Sequence, residues 1–173
     1  MELAERAARA AGGVLLSYYG RPPQGVDSKS SETDLVSDAD REAEQVIREL
    51  LETERPADGL IAEEGSRSES ESGRRWLVDP LDGTINFLYG FPAWGVSIAL
   101  EDEHGLALGV VLDPVRPELF AAVRGQGATL DGKPIRDEYL IVDSGKLAGA
   151  GAHSYTAGNA TGGSEEAAQF GTS

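Results

Sequence analysis

Two short apolar runs limit most strongly how this chain can fold, because each run leads directly into carboxylates. Residues 60–62 are Leu, Ile and Ala and precede Glu63, while residues 76–78 are Trp, Leu and Val and precede Asp79. Runs of this length bounded by polar residues are typical of buried strands. Ligand sites of open α/β sheets lie at the carboxyl ends of the strands. We therefore expect Glu63, Asp79 and Asp82 to converge.

The segments around these runs predict a fold of the α/β class, in its α+β form. Apolar residues recur every three or four positions over 2–19, which predicts an amphipathic helix. A second periodic segment ends at Pro56, and Ser37 with Asp40 is typical of a capping box at its start. Three apolar segments between residues 96 and 123, separated by turns, predict an antiparallel meander.

The composition excludes several classes of function. The chain has 173 residues and no cysteine, which excludes thiolate zinc sites, iron–sulfur clusters, cysteine nucleophiles and a disulfide scaffold. A net charge of −15 opposes binding to nucleic acid or to an anionic membrane surface. The sequence has neither the apolar core of a signal peptide nor a membrane-spanning stretch, so we expect a cytoplasmic protein.

The domain organisation changes near residue 143. Residues 1–143 carry the periodic patterns and are expected to form one domain, in which the serine-rich segment 65–75 is a surface loop. In 144–173, 21 of 30 residues are Gly, Ala, Ser or Thr. Such a segment buries too little apolar area to offset its ordering entropy, so we expect a disordered or aberrant tail.

The carboxylate cluster predicts a magnesium site. Carboxylates about 4 Å apart repel each other by roughly 4 kcal/mol per pair at an effective dielectric near 20. A hard divalent cation removes this repulsion, and oxygen donors without nearby His or Cys favour Mg²⁺, with Mn²⁺ as an alternative. Because Pro80 fixes the backbone, the Leu81 carbonyl can turn toward the same ion.

The residues after Asp82 predict a phosphate site beside the metal. Gly83 lets the chain bend into a helical turn beginning at Thr84, and the amide groups of both residues would bind a phosphate. This pairing suits metal-assisted hydrolysis of a phosphate ester. Glu63 is the candidate general base, and the Thr84 hydroxyl would hold the attacking water if Asp40 accepts its proton.

The segment Asp79-Pro80-Leu81-Asp82-Gly83-Thr84-Ile85-Asn86-Phe87, preceded by Glu63-Glu64, resembles the inositol monophosphatase family. The resemblance runs from the N-terminus to about Ile135 and includes residues 34–40. It implies a layered α/β sandwich of the inositol monophosphatase and fructose-bisphosphatase type. It also implies a Li⁺-sensitive homodimer that binds two or three Mg²⁺ ions and hydrolyses a small phosphorylated polyol or sugar.

The resemblance assigns roles to individual residues. Glu63, Asp79 and the Leu81 carbonyl would hold one Mg²⁺ ion, and Asp79 with Asp82 the second. Thr84 and Glu63 would activate the water, with Asp40 supporting Thr84. The amides of Gly83 and Thr84 would bind the phosphate. Lys29 lies where the family has a lysine near the metals.

The chain departs from the family pattern in its second half. The family continues into a second domain with a Trp-Asp motif, but the tryptophans here precede Leu77 and Gly95. We therefore expect a missing second domain and exposed apolar surface on the part that is present. Two hypotheses about function follow. The protein is an inositol 1-phosphate phosphatase, or it is a truncated inactive remnant that binds metal or acts as a dimerisation partner. A third hypothesis keeps the chemistry and changes the substrate to fructose 1,6-bisphosphate, histidinol phosphate or a 3′-phosphonucleotide.

These residues also have simpler explanations. A calcium-binding loop requires Glu at its twelfth position, which counted from Asp79 is Gly90. A solvated acidic turn remains an alternative for the cluster. Asp40 serves equally well in a helix cap, and Lys29 as a solvated surface charge.

Overall fold

The described part of the chain forms an eight-stranded sheet, covered on one face by helices, and a separate two-stranded sheet. The computed structural model describes residues 1–20, 32–63, 65, 67–135, 141–142 and 155–156. The helices are α1 (Glu2–Tyr18), α2 (Glu32–Glu54) and α3 (Thr84–Leu88). The strands of the sheet are β1 (Gly59–Ala62), β2 (Arg67–Ser68), β3 (Arg75–Asp82), β4 (Gly95–Asp102), β5 (Gly105–Asp113), β6 (Glu118–Val123), β7 (Gly127–Leu130) and β8 (Lys133–Ile135).

The sheet combines one parallel pair with an antiparallel meander. Its strand order is β2-β1-β3-β4-β5-β6-β7-β8. Strands β1 and β3 are parallel, and β3 to β8 follow one another as antiparallel neighbours. The predicted α+β class with an antiparallel meander is therefore confirmed.

The core lies between the sheet and the pair α1 and α2. A Cβ atom added to Gly12 would lie 2.8 Å from Leu112 Cδ2, so α1 rests directly on the face of β5 that carries Leu112. Val96 and Ile98 of β4 and Val110 of β5 are buried on that face. On the opposite face, Val111 is only partly buried. The alternation of strand side chains thus directs one apolar set toward the helices.

Two local predictions are wrong. Helix α2 begins at Glu32, so Ser37 lies inside the helix and is not its N-cap. An interior serine costs a helix only a few tenths of a kcal/mol, which the added backbone hydrogen bonds offset. The segment 65–75 is not entirely loop, because β2 pairs antiparallel with β1 and covers an edge that would otherwise expose unpaired backbone groups.

After residue 135, the residues that the structure describes form two short strands. Ile141–Val142 (β9) pairs antiparallel with Tyr155–Thr156 (β10). The rest of 144–173 lies outside the described residues, so the expected disorder stays a prediction. Within the described part of the chain, no helix has the length and apolar character needed to cross a bilayer.

Asp58 connects the end of α2 to β3 through hydrogen bonds. It is 9% exposed and accepts hydrogen bonds from Ser72 Oγ (2.7 Å), Arg55 Nε (3.0 Å) and Trp76 Nε1 (3.2 Å). Burial raises the pKa of Asp58, but the bonds from Ser72, Arg55 and Trp76 together outweigh burial and hold that pKa below its ordinary value.

Replacing Asp58 by alanine is expected to lower the free energy of unfolding by about 3 kcal/mol, because three donors lose their acceptor. The lowered pKa of Asp58 contributes stability above pH ~4 that disappears as pH falls through that pKa. Asp58→Asn should therefore show a smaller loss of stability between pH 7 and pH 3 than the wild type. Urea unfolding at both pH values measures this, with the exposed Glu69→Gln as control. Equal pH dependence in Asp58→Asn and wild type would contradict it.

Candidate active site

The parallel pair β1 and β3 brings two predicted site residues together. The last paired residues are Ala62 and Val78, and the Glu63 amide donates to the Val78 carbonyl at 3.1 Å. Glu63 therefore follows β1 at the level where Asp79 continues β3. Glu63 is exposed, whereas Asp79 is 8% exposed. One buried and one accessible carboxyl group thus lie side by side where the parallel pairing of β1 and β3 ends.

A β-bulge in β3 places Asp79 and Asp82 on the same face of the sheet. Asp79 lies opposite Ser97 and Asp82 lies opposite Gly95, so three steps on β3 match two steps on β4. Residues two apart on a strand share a face. The extra residue in β3 therefore turns Asp82 to the side on which Asp79 lies, as bulges near functional sites commonly do.

Asp79 experiences the charge of every acidic residue predicted for the site. Burial, the charges of Glu63, Asp82 and Asp40 and a hydrogen bond to Glu63 together raise the pKa of Asp79 to about 8, with burial contributing most. Asp40 is itself only 6% exposed and is carried by α2, which packs on β3. The structure therefore brings Glu63, Asp79, Asp82 and Asp40 into one electrostatic cluster.

The turn after Asp79 is held by local hydrogen bonds. The Leu81 amide donates to Asp79 Oδ1 at 3.2 Å, and the Thr84 hydroxyl donates to the Leu81 carbonyl at 3.1 Å. A hydroxyl has a single proton, so in this arrangement Thr84 does not donate to Asp40, the acceptor expected from the sequence. The oxygen of Thr84 keeps lone pairs that can accept a hydrogen bond from water.

Gly83 has a conformation and a position that exclude a side chain. Its φ is +88°, in the left-handed region, and it immediately precedes α3. A Cβ atom there would lie 2.9 Å from the Ala93 carbonyl oxygen. That same oxygen accepts a hydrogen bond from Asn86 Nδ2 at 2.7 Å. The sequence pattern includes Asn86 but gives it no role of its own. It also does not predict that segment 89–94 folds back onto Gly83, since nothing local in the sequence indicates this.

The described residues do not form a complete set of metal ligands. Among them, no group of three or more His, Asp or Glu side chains is arranged to hold a metal ion. The donor chemistry nevertheless fits a hard cation, because the four neighbouring acidic groups supply oxygen alone. Lys29 lies outside the described residues, and its role stays a prediction.

Exposed apolar side chains lie next to this turn. Ile85, Tyr89 and Phe91 are 72%, 78% and 59% exposed. The expectation that a missing second domain leaves apolar surface exposed stays a prediction. The expected homodimer remains a prediction.

The chain resembles known proteins over most of its length. The model of the inositol monophosphatase family matches residues 1–155. The histidinol-phosphatase of Chlorobaculum parvum is 44% identical over 83% of this chain and 55% of that protein. The inositol-1-monophosphatase of Rhizobium meliloti is 42% identical over 73% of this chain and 48% of that protein.

Solved structures agree with the sequence relatives. The extragenic suppressor protein SuhB from Bartonella henselae superposes with a TM-score of 0.70 at 39% identity, covering 83% of this chain and 54% of that one. The chain thus spans about half the length of the relatives it matches. Because the family model matches residues 1–155, which is most of the chain, the chain belongs to the inositol monophosphatase family.

Proposed function

We propose that this chain carries the metal and phosphate site of a Mg²⁺-dependent phosphate monoesterase, with inositol 1-phosphate as the leading substrate. The observation that carries the proposal is the burial of Asp79 among Glu63, Asp82 and Asp40, which raises its pKa to about 8. Strongly shifted carboxyl groups that lie together are typical of functional sites, and a hard cation bound among them would relieve their repulsion.

The residues that would hold magnesium are the carboxylates of Asp79, Glu63 and Asp82 and the Leu81 carbonyl. When bound, Mg²⁺ supplies Lewis-acid polarisation of the phosphoryl group and neutralises charge that develops in the transition state. Binding would also replace the proton on Asp79, because a cation among these groups favours their ionised forms. Two or three ions are expected, and Mn²⁺ is an alternative.

The remaining residues position the substrate and the water. The Gly83 and Thr84 amides, at the start of α3, would donate to the phosphate oxygens. Thr84 already donates its hydroxyl proton to Leu81, so its oxygen would accept a hydrogen bond from the attacking water. Glu63, exposed beside Asp79, would take the second proton of that water as general base.

The substrate class is a small phosphorylated polyol or sugar. The names of two relatives, a histidinol-phosphatase and an inositol-1-monophosphatase, support histidinol phosphate as well as inositol 1-phosphate. Fructose 1,6-bisphosphate and 3′-phosphonucleotides complete the panel. We place the reaction in the cytoplasm.

Phosphate release from this panel, measured with Mg²⁺ and with EDTA, tests the proposal. Asp82→Asn is expected to reduce Mg²⁺-dependent release at least about 100-fold, because it removes a direct ligand. Glu103→Gln, an acidic residue that is 84% exposed in a distant turn, should leave the rate unchanged. An unchanged rate in Asp82→Asn would remove its metal role.

A second candidate function is metal binding without turnover. In the 173 residues given, both tryptophans precede residues other than Asp, Leu77 and Gly95, and these residues span about half the length of the relatives they match. Calorimetric titration with Mg²⁺ separates the two. Binding without phosphate release supports the second function, and absence of both overturns the proposed site.

A further inference from the structure

The turn at Gly83 and Thr84, which we propose binds phosphate and call the phosphate-binding turn, depends on contacts from other parts of the chain. Helix α3, which follows Gly83, has five residues. Helices of this length are not stable alone, because nucleation costs more than so few hydrogen bonds return. The position of Gly83 and Thr84 must therefore be fixed by the segments packed against α3.

An aromatic cluster anchors α3 to the end of α1. Tyr19, the residue after α1, lies 5.5 Å from Phe87 and 5.1 Å from Trp94 between ring centroids. Phe87 meets Trp94 edge-on at 4.9 Å. Phe87 and Trp94 are 6% and 4% exposed, as expected for packing residues. Tyr19, at the end of α1, thus contacts both α3 and the segment 89–94 that returns toward Gly83.

The Tyr19 hydroxyl adds a directional contact to this packing. It donates to the Gly90 carbonyl at 2.7 Å, at the start of the segment that returns toward Gly83. At the other end of that segment, Asn86 holds the Ala93 carbonyl, against which Gly83 rests. The returning segment is therefore fixed at both ends, once by Tyr19 and once by Asn86.

We propose that Tyr19 is a positioning residue for the phosphate-binding turn, acting through Gly90 and the returning segment on Gly83 and Thr84. This inference rests on the proposed function for its consequence, which is phosphate affinity. The physical contact itself is independent of any reaction. Tyr19 touches neither substrate nor metal in this role.

Tyr19→Phe tests the inference, because it removes the hydroxyl and keeps the ring. Tyr18→Phe is the matched control, since the neighbouring Tyr18 hydroxyl donates to Glu42 on α2 at 2.6 Å and not to the turn. Isothermal titration with inorganic phosphate in excess Mg²⁺ should give a dissociation constant about five-fold higher in Tyr19→Phe. The control should change less than about two-fold. Both variants should lose similar thermal stability, so stability alone does not explain the difference.

Hydrogen exchange provides a readout that needs no ligand. Amides of residues 83–94 should exchange faster in Tyr19→Phe than in the wild type and keep wild-type rates in Tyr18→Phe. Unchanged exchange in Tyr19→Phe overturns the inference, whatever the phosphate result. Wild-type protein that binds no phosphate overturns the proposed function instead. Phosphate affinity equal in both tyrosine variants overturns the role of Tyr19 in binding.

Discussion

Asp79→Asn is expected to stabilise the metal-free chain at pH 8 by roughly 2–5 kcal/mol and to abolish its stabilisation by Mg²⁺. Burial and the charges of Glu63, Asp82 and Asp40 raise the pKa of Asp79 to about 8. The folded chain therefore keeps a proton that the unfolded chain, with an ordinary pKa of 3.8, releases. Asparagine has nearly the same shape and carries no charge to repel.

The sign of the pH dependence follows from this difference in bound protons. Between pH 4 and pH 8 the folded chain binds more protons than the unfolded chain, so raising the pH lowers the stability of the wild type. Above the raised pKa the loss is complete. Asp79→Asn lacks this contribution, so its stability should be nearly equal to that of wild type at pH 4 and higher at pH 8.

Thermal unfolding in EDTA and in millimolar Mg²⁺ measures both effects. Mg²⁺ should raise the melting temperature of the wild type, because a ligand that binds only the folded state stabilises it, and should leave Asp79→Asn unchanged. Asp102→Asn is the control of opposite sign. Hydrogen bonds from Arg124 and the His104 amide lower the pKa of Asp102, so its replacement should not stabilise the chain. An Asp79→Asn protein less stable than wild type at pH 8 in EDTA would contradict the repulsion.

Gly83→Ala should combine a large loss of stability with a loss of phosphate binding. The new Cβ would lie 2.9 Å from the Ala93 carbonyl oxygen, and the backbone would keep an alanine at a φ of +88°. Together these effects should lower the free energy of unfolding by about 2–4 kcal/mol. Inorganic phosphate should bind at least about ten-fold more weakly, since the donors of Gly83 and Thr84 move apart.

Gly105→Ala separates backbone strain from steric overlap. Gly105 also has a positive φ, +95°, but a Cβ atom there meets nothing within 4 Å. This variant should lose about 1 kcal/mol through strain alone and keep most of its phosphate affinity. Urea unfolding and phosphate titration on both variants give the comparison. Equal losses of affinity in the two would show that the contact with Ala93 does not control the turn.

Much of the sheet edge could be predicted because its signals are local. Short apolar runs before Glu63 and Asp79 indicated two strands, and parallel neighbours end at the same edge. The glycine at position 83 likewise indicated a bend that other residues adopt with strain. The start of α2 was predicted wrongly, since a capping pattern at Ser37 marks one favourable end and does not stop a helix from extending.

The sequence by itself determined which oxygen-bearing side chains end the two strands and where the chain bends after them, because these follow from residue type and neighbouring positions. Tertiary structure alone decided that Asp82 shares a face with Asp79, since the bulge exists only through the register between β3 and β4. It also decided that Tyr19 reaches Gly90, 71 positions away. Such contacts depend on how α1 packs on the sheet, and no local pattern of residues encodes that packing.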